Sequence, residues 1–170
     1  KSNNYIDYVI FMLKYEGIVR DAIIKYKFDE KAYLYKTFAK IILNDKKICR
    51  FLKTYDIIMP VPMHKRKMDL RGYNQTELIA REIANILNLK MPIGALIKIK
   101  DTTMQSTLNL AERKENVKGV YKATDGKIFE GKNVIIFDDI FTTGNTALEV
   151  AKVIKKAGAK NIIVLAIAKD

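Results

Sequence analysis

The sequence predicts an α/β fold: a doubly wound, mainly parallel sheet flanked by helices, with a helical amino-terminal segment. Three observations predict it. Val134-Ile135-Ile136-Phe137 and residues 161–168 are short apolar runs, as expected of strands buried on both faces. Between them, Ala147, Val150, Ala151, Ile154 and Ala157 recur at helical spacing. Strand-like and helix-like runs alternate along most of the remaining chain, the pattern of parallel strands joined by helical crossovers.

Taken in order, residues 1–53 are expected to be helical and to pack on the domain formed by residues 54–170. Ile6, Val9, Ile10 and Leu13 make one stripe, and Gly17 interrupts it. Ile18, Ala22, Ile23 and Tyr26 make a second stripe; Tyr33, Leu34, Phe38, Ile41 and Ile42 make a third. Tyr26, Phe28, Tyr33 and Tyr35 are expected in the core rather than at a ligand. Residues 56–62 read as the first strand of the sheet, ended by Pro60 and Pro62. Residues 64–72 are expected to be a loop, and they hold the densest basic run in the chain. Asn74, with Glu77 three residues on, marks a helix start, and the helix runs to about Asn88. Residues 95–99 are a short second strand. Residues 100–118 show little apolar periodicity and read as a long functional loop in which Gln105, Arg113 and Asn116 stand out. Residues 120–123 fit a strand and residues 124–127 a turn. Gly158 is the expected cap before the last strand.

The totals bound the function. A chain of 170 residues can enclose one proper core. No apolar run approaches the roughly 18 residues of a membrane span, and no signal peptide is visible. The single cysteine, Cys49, excludes an internal disulfide and a cysteine-rich metal site within this chain, so a reducing cytoplasm is the expected setting. The net charge of +12 suits an anionic small ligand or a nucleic acid, and equally a solvated lysine-rich surface. The run Gly126 to Lys132 nearly spells a phosphate-binding Walker loop. Asn133 stands where its Ser or Thr belongs, however, and the run precedes its strand instead of following it.

The chemistry concentrates after Phe137. Asp138 and Asp139 end an apolar strand; Thr142, Thr143, Gly144, Asn145 and Thr146 lead into a helix. Ligands of open α/β sheets bind at the carboxyl ends of strands. A helix amino end offers backbone N–H groups and partial positive charge to a phosphate. Threonine hydroxyls add donors, and a glycine allows close backbone approach. Two adjacent carboxylates accept hydrogen bonds from neighbouring sugar hydroxyls. The unit therefore reads as a clamp for a ribose 5-phosphate. A phosphoacceptor aspartate of the receiver type would share the acidic pair but leave the Thr-Thr-Gly-x-Thr run unexplained.

These thirteen residues, Val134 to Thr146, resemble the PRPP (5-phosphoribosyl 1-pyrophosphate) motif of type I phosphoribosyltransferases. Three further stretches resemble the ComF (GntX-like) branch of that superfamily. They are Tyr15-Glu16-Gly17-Ile18-Val19-Arg20 with Lys25-Tyr26-Lys27-Phe28; Pro60-Val61-Pro62-Met63-His64 with Arg71-Gly72-Tyr73-Asn74-Gln75; and Gln105-Ser106-Thr107-Leu108 with Arg113 and Asn116-Val117-Lys118-Gly119. The resemblance implies a type I phosphoribosyltransferase fold and a magnesium-dependent transfer with pyrophosphate release. Asp138 and Asp139 would hold the ribose hydroxyls. Thr142, Thr143, Gly144, Asn145 and Thr146 would wrap the 5-phosphate. His64, Lys65, Arg66 and Arg71 would meet the pyrophosphate, and Arg113 or Lys114 would arrive on a closing loop. Magnesium would come with the substrate. The acceptor is not identified, and no amino-terminal Cys nucleophile of a glutamine amidotransferase is present. The branch also implies a link to natural competence and DNA uptake. The alternative is therefore a non-catalytic module that binds single-stranded DNA or competence-machinery proteins, with a homodimer an open arrangement for either. Many members begin with a cysteine-rich zinc segment. Lys1 in place of Met leads to the expectation of a fragment starting after it, or else of a member without one.

Overall fold

A computed structural model describes residues 5–28, 31–102 and 117–170. Gln105, Arg113, Lys114 and Asn116 lie outside the described residues. Four strands form one wholly parallel sheet in the order β1-β6-β5-β2: β1 (Tyr8–Lys14), β2 (Ile57–Pro60), β5 (Asn133–Phe141) and β6 (Asn161–Lys169). Two short strands, β3 (Leu96–Lys98) and β4 (Tyr121–Ala123), pair antiparallel in a separate ribbon. Residues 95–99 thus leave the main sheet that the sequence pattern assigned them to.

Alternation along the strands divides the core in two. Ile58, Ile135, Phe137, Ile163 and Leu165 face helices α1 (Gly17–Phe28), α2 (Leu34–Leu43), α3 (Lys46–Leu52) and α5 (Gln75–Leu87). Ile57, Met59, Val134, Ile136, Ile162 and Val164 face α6 (Asn145–Lys156), the β3–β4 ribbon and Phe129. Covering both faces makes the fold doubly wound, and each large apolar side chain so buried contributes roughly 1.5–3 kcal/mol. Among the described residues no helix is long and apolar enough to cross a membrane.

Two further expectations are overturned. The stripe Ile6, Val9, Ile10 and Leu13 is not helical: it belongs to strand β1 and its approach. Tyr-Val-Ile-Phe-Met-Leu is rich in β-branched and aromatic residues, and a run this short satisfies either periodicity. Its partner is remote: Asp7 and Ile162 exchange two hydrogen bonds of 2.8 Å across 155 positions. The basic run is also not a loop but helix α4 (Lys65–Arg71). His64 Nδ1 accepts the Arg66 N–H at 3.3 Å, and Gly72 ends the helix at φ +79°. By contrast, Asn74 caps α5 as expected, through the Thr76 N–H, while Glu77 pairs forward with Arg81 at 2.6 Å instead of back to its cap.

Candidate active site

The carboxyl end of the sheet opens into a cavity of about 490 Å³. Its wall takes Asp138, Asp139, Thr142, Gly144 and Thr146 from the β5–α6 unit, and Lys67 and Arg71 from α4. It also takes Lys27 and Phe28 from α1, Asn74, Gln75 and Thr76 from α5, and Lys98 and Tyr121 from the ribbon. Neighbouring residues of a strand point to opposite faces. Asp139 reaches the α1 side, where Lys27 Nζ lies 2.7 Å from its Oδ2. Asp138 faces the ribbon side, toward Lys98 and Tyr121. The cavity caps the sheet end and so gathers both carboxylates.

The two acids are made unequal by their partners. Asp139 holds the Lys27 ion pair and accepts the Ile140 N–H at 2.7 Å. Asp138 Oδ1 accepts the Asp139 N–H at 2.9 Å. Desolvation, then the neighbouring Asp139 charge, raises the Asp138 carboxyl from its ordinary 3.8 to about 7, against Lys27, the Asp139 N–H and Lys98. Lys98 is pushed the other way, from 10.5 to about 8, by burial and then by Lys67, with Asp101 and Asp138 opposing. Burial also lowers the Arg71 guanidinium from its ordinary range. Arg71 lies over the Phe28 ring at 5.1 Å, so Phe28 is a half-exposed cavity residue and not the core residue expected.

The turn between β5 and α6 leaves its backbone open to close approach. Gly144 is the N-cap of α6 with φ +74° and brings no side chain of its own to cap it. A Cβ on Gly144 would stand 2.7 Å from Phe141 Cζ, so a larger residue there is strained by its backbone and must displace the Phe141 ring. Thr143 and Asn145 do not line the cavity; Thr143 Oγ1 instead accepts the Asn145 N–H at 3.5 Å. His64, Lys65 and Arg66 are likewise outside its wall. His64 caps α4, Lys65 is exposed, and Arg66 lies 3.7 Å from Asp101.

Sequence reasoning assigned no role to Lys27, Lys67, Lys98 or Gln75. Lys27 and Gln75 stand inside stretches that carry the family resemblance, which was a usable signal. Lys67 falls in the basic run, and helical spacing with Arg71 places both on one face. Nothing local marks Lys98. Among the described residues no group of three or more His, Cys, Asp or Glu is arranged to hold a metal. The donor set is an adjacent carboxylate pair, which suits a magnesium ion that takes most of its oxygens from substrate and water.

Comparison with known proteins agrees with this geometry. The profile of the phosphoribosyl transferase domain family matches residues 76–170. The chain is similar to competence protein F of Haemophilus influenzae, 28% identical over 149 residues, covering 85% of this chain and 65% of that protein. It is similar to DNA utilization protein YhgH of Salmonella typhimurium, 27% identical over 139 residues, covering 80% of this chain and 60% of that protein. Competence protein ComFC of Streptococcus pneumoniae is 28% identical over 148 residues, covering 87% of this chain and 62% of that protein. The chain thus spans less than two thirds of the length of these relatives. Among solved structures, the glutamine PRPP amidotransferase of B. subtilis superposes with a TM-score of 0.51 at 21% identity, over 81% of this chain and 26% of that chain. That likeness shows the fold.

Proposed function

The chain belongs to the phosphoribosyl transferase domain family, in its competence protein F branch, and on that premise we propose that it binds PRPP and transfers its phosphoribosyl group with release of pyrophosphate. The observation that carries this reading is the convergence of the acidic pair, the amino end of α6 and four cationic side chains on one cavity. Asp138 and Asp139 would accept from the ribose hydroxyls. A carboxylate offers about four lone-pair sites, so Asp139 can keep Lys27 and still take a hydroxyl. Thr142, Gly144 and Thr146 would receive the 5-phosphate at the helix end, with Thr143 and Asn145 shaping the turn.

In the proposed step the bond from C1 to the pyrophosphate oxygen breaks, with its electron pair leaving on that oxygen. A lone pair of the acceptor forms the new bond to C1. Positive charge develops on the ribose ring and negative charge on the leaving group. Lys27, Lys67, Arg71 and Lys98 would stabilise the leaving group. Magnesium, held by Asp138 and Asp139 together with substrate oxygens, would supply further charge neutralisation there.

The relatives' names point to competence and DNA utilization, so we place the activity in that setting. The same names and the charge of +12 support a second reading, a binding module for single-stranded DNA without turnover. Tyr73 does not serve that reading as a stacking platform: it packs on Tyr26 and donates its hydroxyl to Tyr26 O at 3.0 Å. Calorimetric titration of PRPP with magnesium tests the first reading. Binding is expected to the native chain and to be lost in an Asp138→Asn, Asp139→Asn double variant. A native chain that binds neither PRPP nor ribose 5-phosphate would overturn it.

A further inference from the structure

We propose that the chain associates with a second copy of itself through strand β1, edge to edge and antiparallel, so that the two parallel sheets run on as one. The inference does not depend on the phosphosugar reading. The strand order leaves β1 and β2 as the two edges of the sheet. An edge strand turns unpaired N–H and C=O groups outward, and proteins blunt such edges by shortness, proline, charge or a covering segment. β2 is blunted three ways. It is four residues long, it ends in Pro60, and Lys90 lies along it: the Ile58 N–H donates to Lys90 O at 2.9 Å and the Lys90 N–H to Asp56 O at 3.1 Å. β1 has seven residues, no proline and one charge, Lys14 at its end. Among the described residues no strand pairs with its outer side.

The side chains beside this edge are apolar on both faces of the sheet. Val9 and Phe11 pair with Val164 and Ala166, on the face that α6 covers further in, and are 38% and 42% exposed. Tyr8 pairs with Ile163 on the other face and is 66% exposed. It interacts electrostatically with Tyr55, whose ring lies 5.5 Å from that of Phe51, another exposed aromatic residue. An open backbone with apolar side chains on both faces is what a further strand covers.

The sequence of β1 fits itself. An antiparallel copy centred on Phe11 sets Phe11 against the partner's Phe11, Val9 against the partner's Leu13, Ile10 against the partner's Met12 and Tyr8 against the partner's Lys14. The members of each pair lie on the same face, because side chains alternate with a period of two. Apolar pairs of this kind stabilise antiparallel ladders, and Tyr8 offers its ring to an ammonium group. No lysine faces a lysine. That decides between surfaces in a chain of net charge +12, which repels its copy wherever cations oppose. A two-fold axis needs one patch that complements itself, and this strip does. Antiparallel joining points the carboxyl ends of the two sheets in opposite directions. No residue of β1 lines the cavity, so each copy keeps a complete site of its own.

The test is analytical sedimentation of this chain over a range of concentrations. The native chain is expected to reach twice its mass of 19.5 kDa. Its dissociation constant is expected on the order of 10 μM, because one strand edge with its flanking side chains stands at the small end of specific interfaces. Phe11→Glu sets two carboxylates against each other and is expected to weaken association about thirtyfold or more. Phe11→Lys alone is expected to do the same, while an equal mixture of the two variants recovers the dimer. A merely structural role of Phe11 would not produce that recovery. Tyr8→Lys sets lysine against lysine at a well exposed site. It is expected to weaken association about tenfold at an unchanged melting temperature, which keeps the test valid if the Phe11 variants fold poorly. A native chain that stays monomeric at about 0.3 mM overturns the proposal. So does a dimer that survives both Phe11→Glu and Tyr8→Lys, since it would lie on another surface. Loss in both Phe11 variants without recovery in their mixture overturns the antiparallel register. A monomeric native chain whose binding of oligo-dT is lost in Phe11→Glu would give the edge to nucleic acid and overturn self-association.

Discussion

Asp138 and Asp139 are covalent neighbours with different chemistry. Between about pH 4 and 7 the folded chain keeps a proton on Asp138 that the unfolded chain has released, so stability falls as pH rises through that window. Lys98 has the opposite sign: from about pH 8 to 10.5 the unfolded chain holds a proton that the folded chain has lost, and stability rises with pH. Asp138→Asn removes the first effect. It is expected to raise the melting temperature of the free protein at pH 8 by roughly 5 °C, and by much less at pH 4. Scanning calorimetry at the two pH values checks this; an equal shift at both would show that Asp138 is not a desolvated acid. Ligand affinity should move the other way, with the native chain gaining PRPP affinity from pH 6 to 8 as Asp138 ionises. Gly144→Ala is expected to cost about 1–2 kcal/mol for its left-handed backbone alone, and to weaken ribose 5-phosphate by tenfold or more as Phe141 is displaced. Chemical denaturation and titration of that variant measure the two effects. At this scale the acidic pair and the glycine were legible, because their chemistry is local. The partners that make the acids unequal were not, because Lys27 and Lys98 lie far away in the chain.

Elements were legible where a cap or a long periodic run stood alone. Helix α5 begins at the cap that Asn74 marks, α6 follows the Thr-Thr-Gly-x-Thr run, and strands β5 and β6 are continuous apolar runs. Strand β1 was misread because seven residues cannot establish a period, and only β6 decides between the two readings. Helix α4 was misread because its basic side chains hid a capped turn between His64 and Gly72. The helices before β2 share one apolar cluster with the sheet. Phe38 of α2, 3% exposed, packs its ring 5.4 Å from Tyr26, whose hydroxyl holds the start of α5. Phe38→Ala is accordingly expected to cost about 3–5 kcal/mol and to lower a single unfolding transition. Loss of the helices in a separate early transition, seen by circular dichroism in denaturant, would contradict a shared core.

For the whole molecule, a net charge of +12 draws anions in, and ionic strength discriminates between the two functional readings. A phosphosugar seated in a cavity exchanges few counterions, so its affinity is expected to fall less than about tenfold between roughly 0.05 and 0.2 M salt. A single strand of DNA neutralised by six or more phosphate contacts would lose on the order of a hundredfold or more over the same range. Titrations at several salt concentrations give the slope directly. The fold class was visible because alternating runs imply crossovers. The union of the cavity walls was not, because α1, α4, α5 and the ribbon meet only after the sheet has closed.

The strand order also has a consequence in time. β6 is the last of the described strands to leave a ribosome, and it is the one that stands between β1 and β5. Until residues 161–169 emerge, β1 has no neighbour in the sheet, and its exposed Tyr8, Val9 and Phe11 add an apolar strip to an edge already open to other chains. Pairings that span most of the chain close slowly. A nascent chain of this protein therefore carries an open, sticky edge from the emergence of β1 until that of β6, and its demand on holding chaperones should fall sharply once β6 is released.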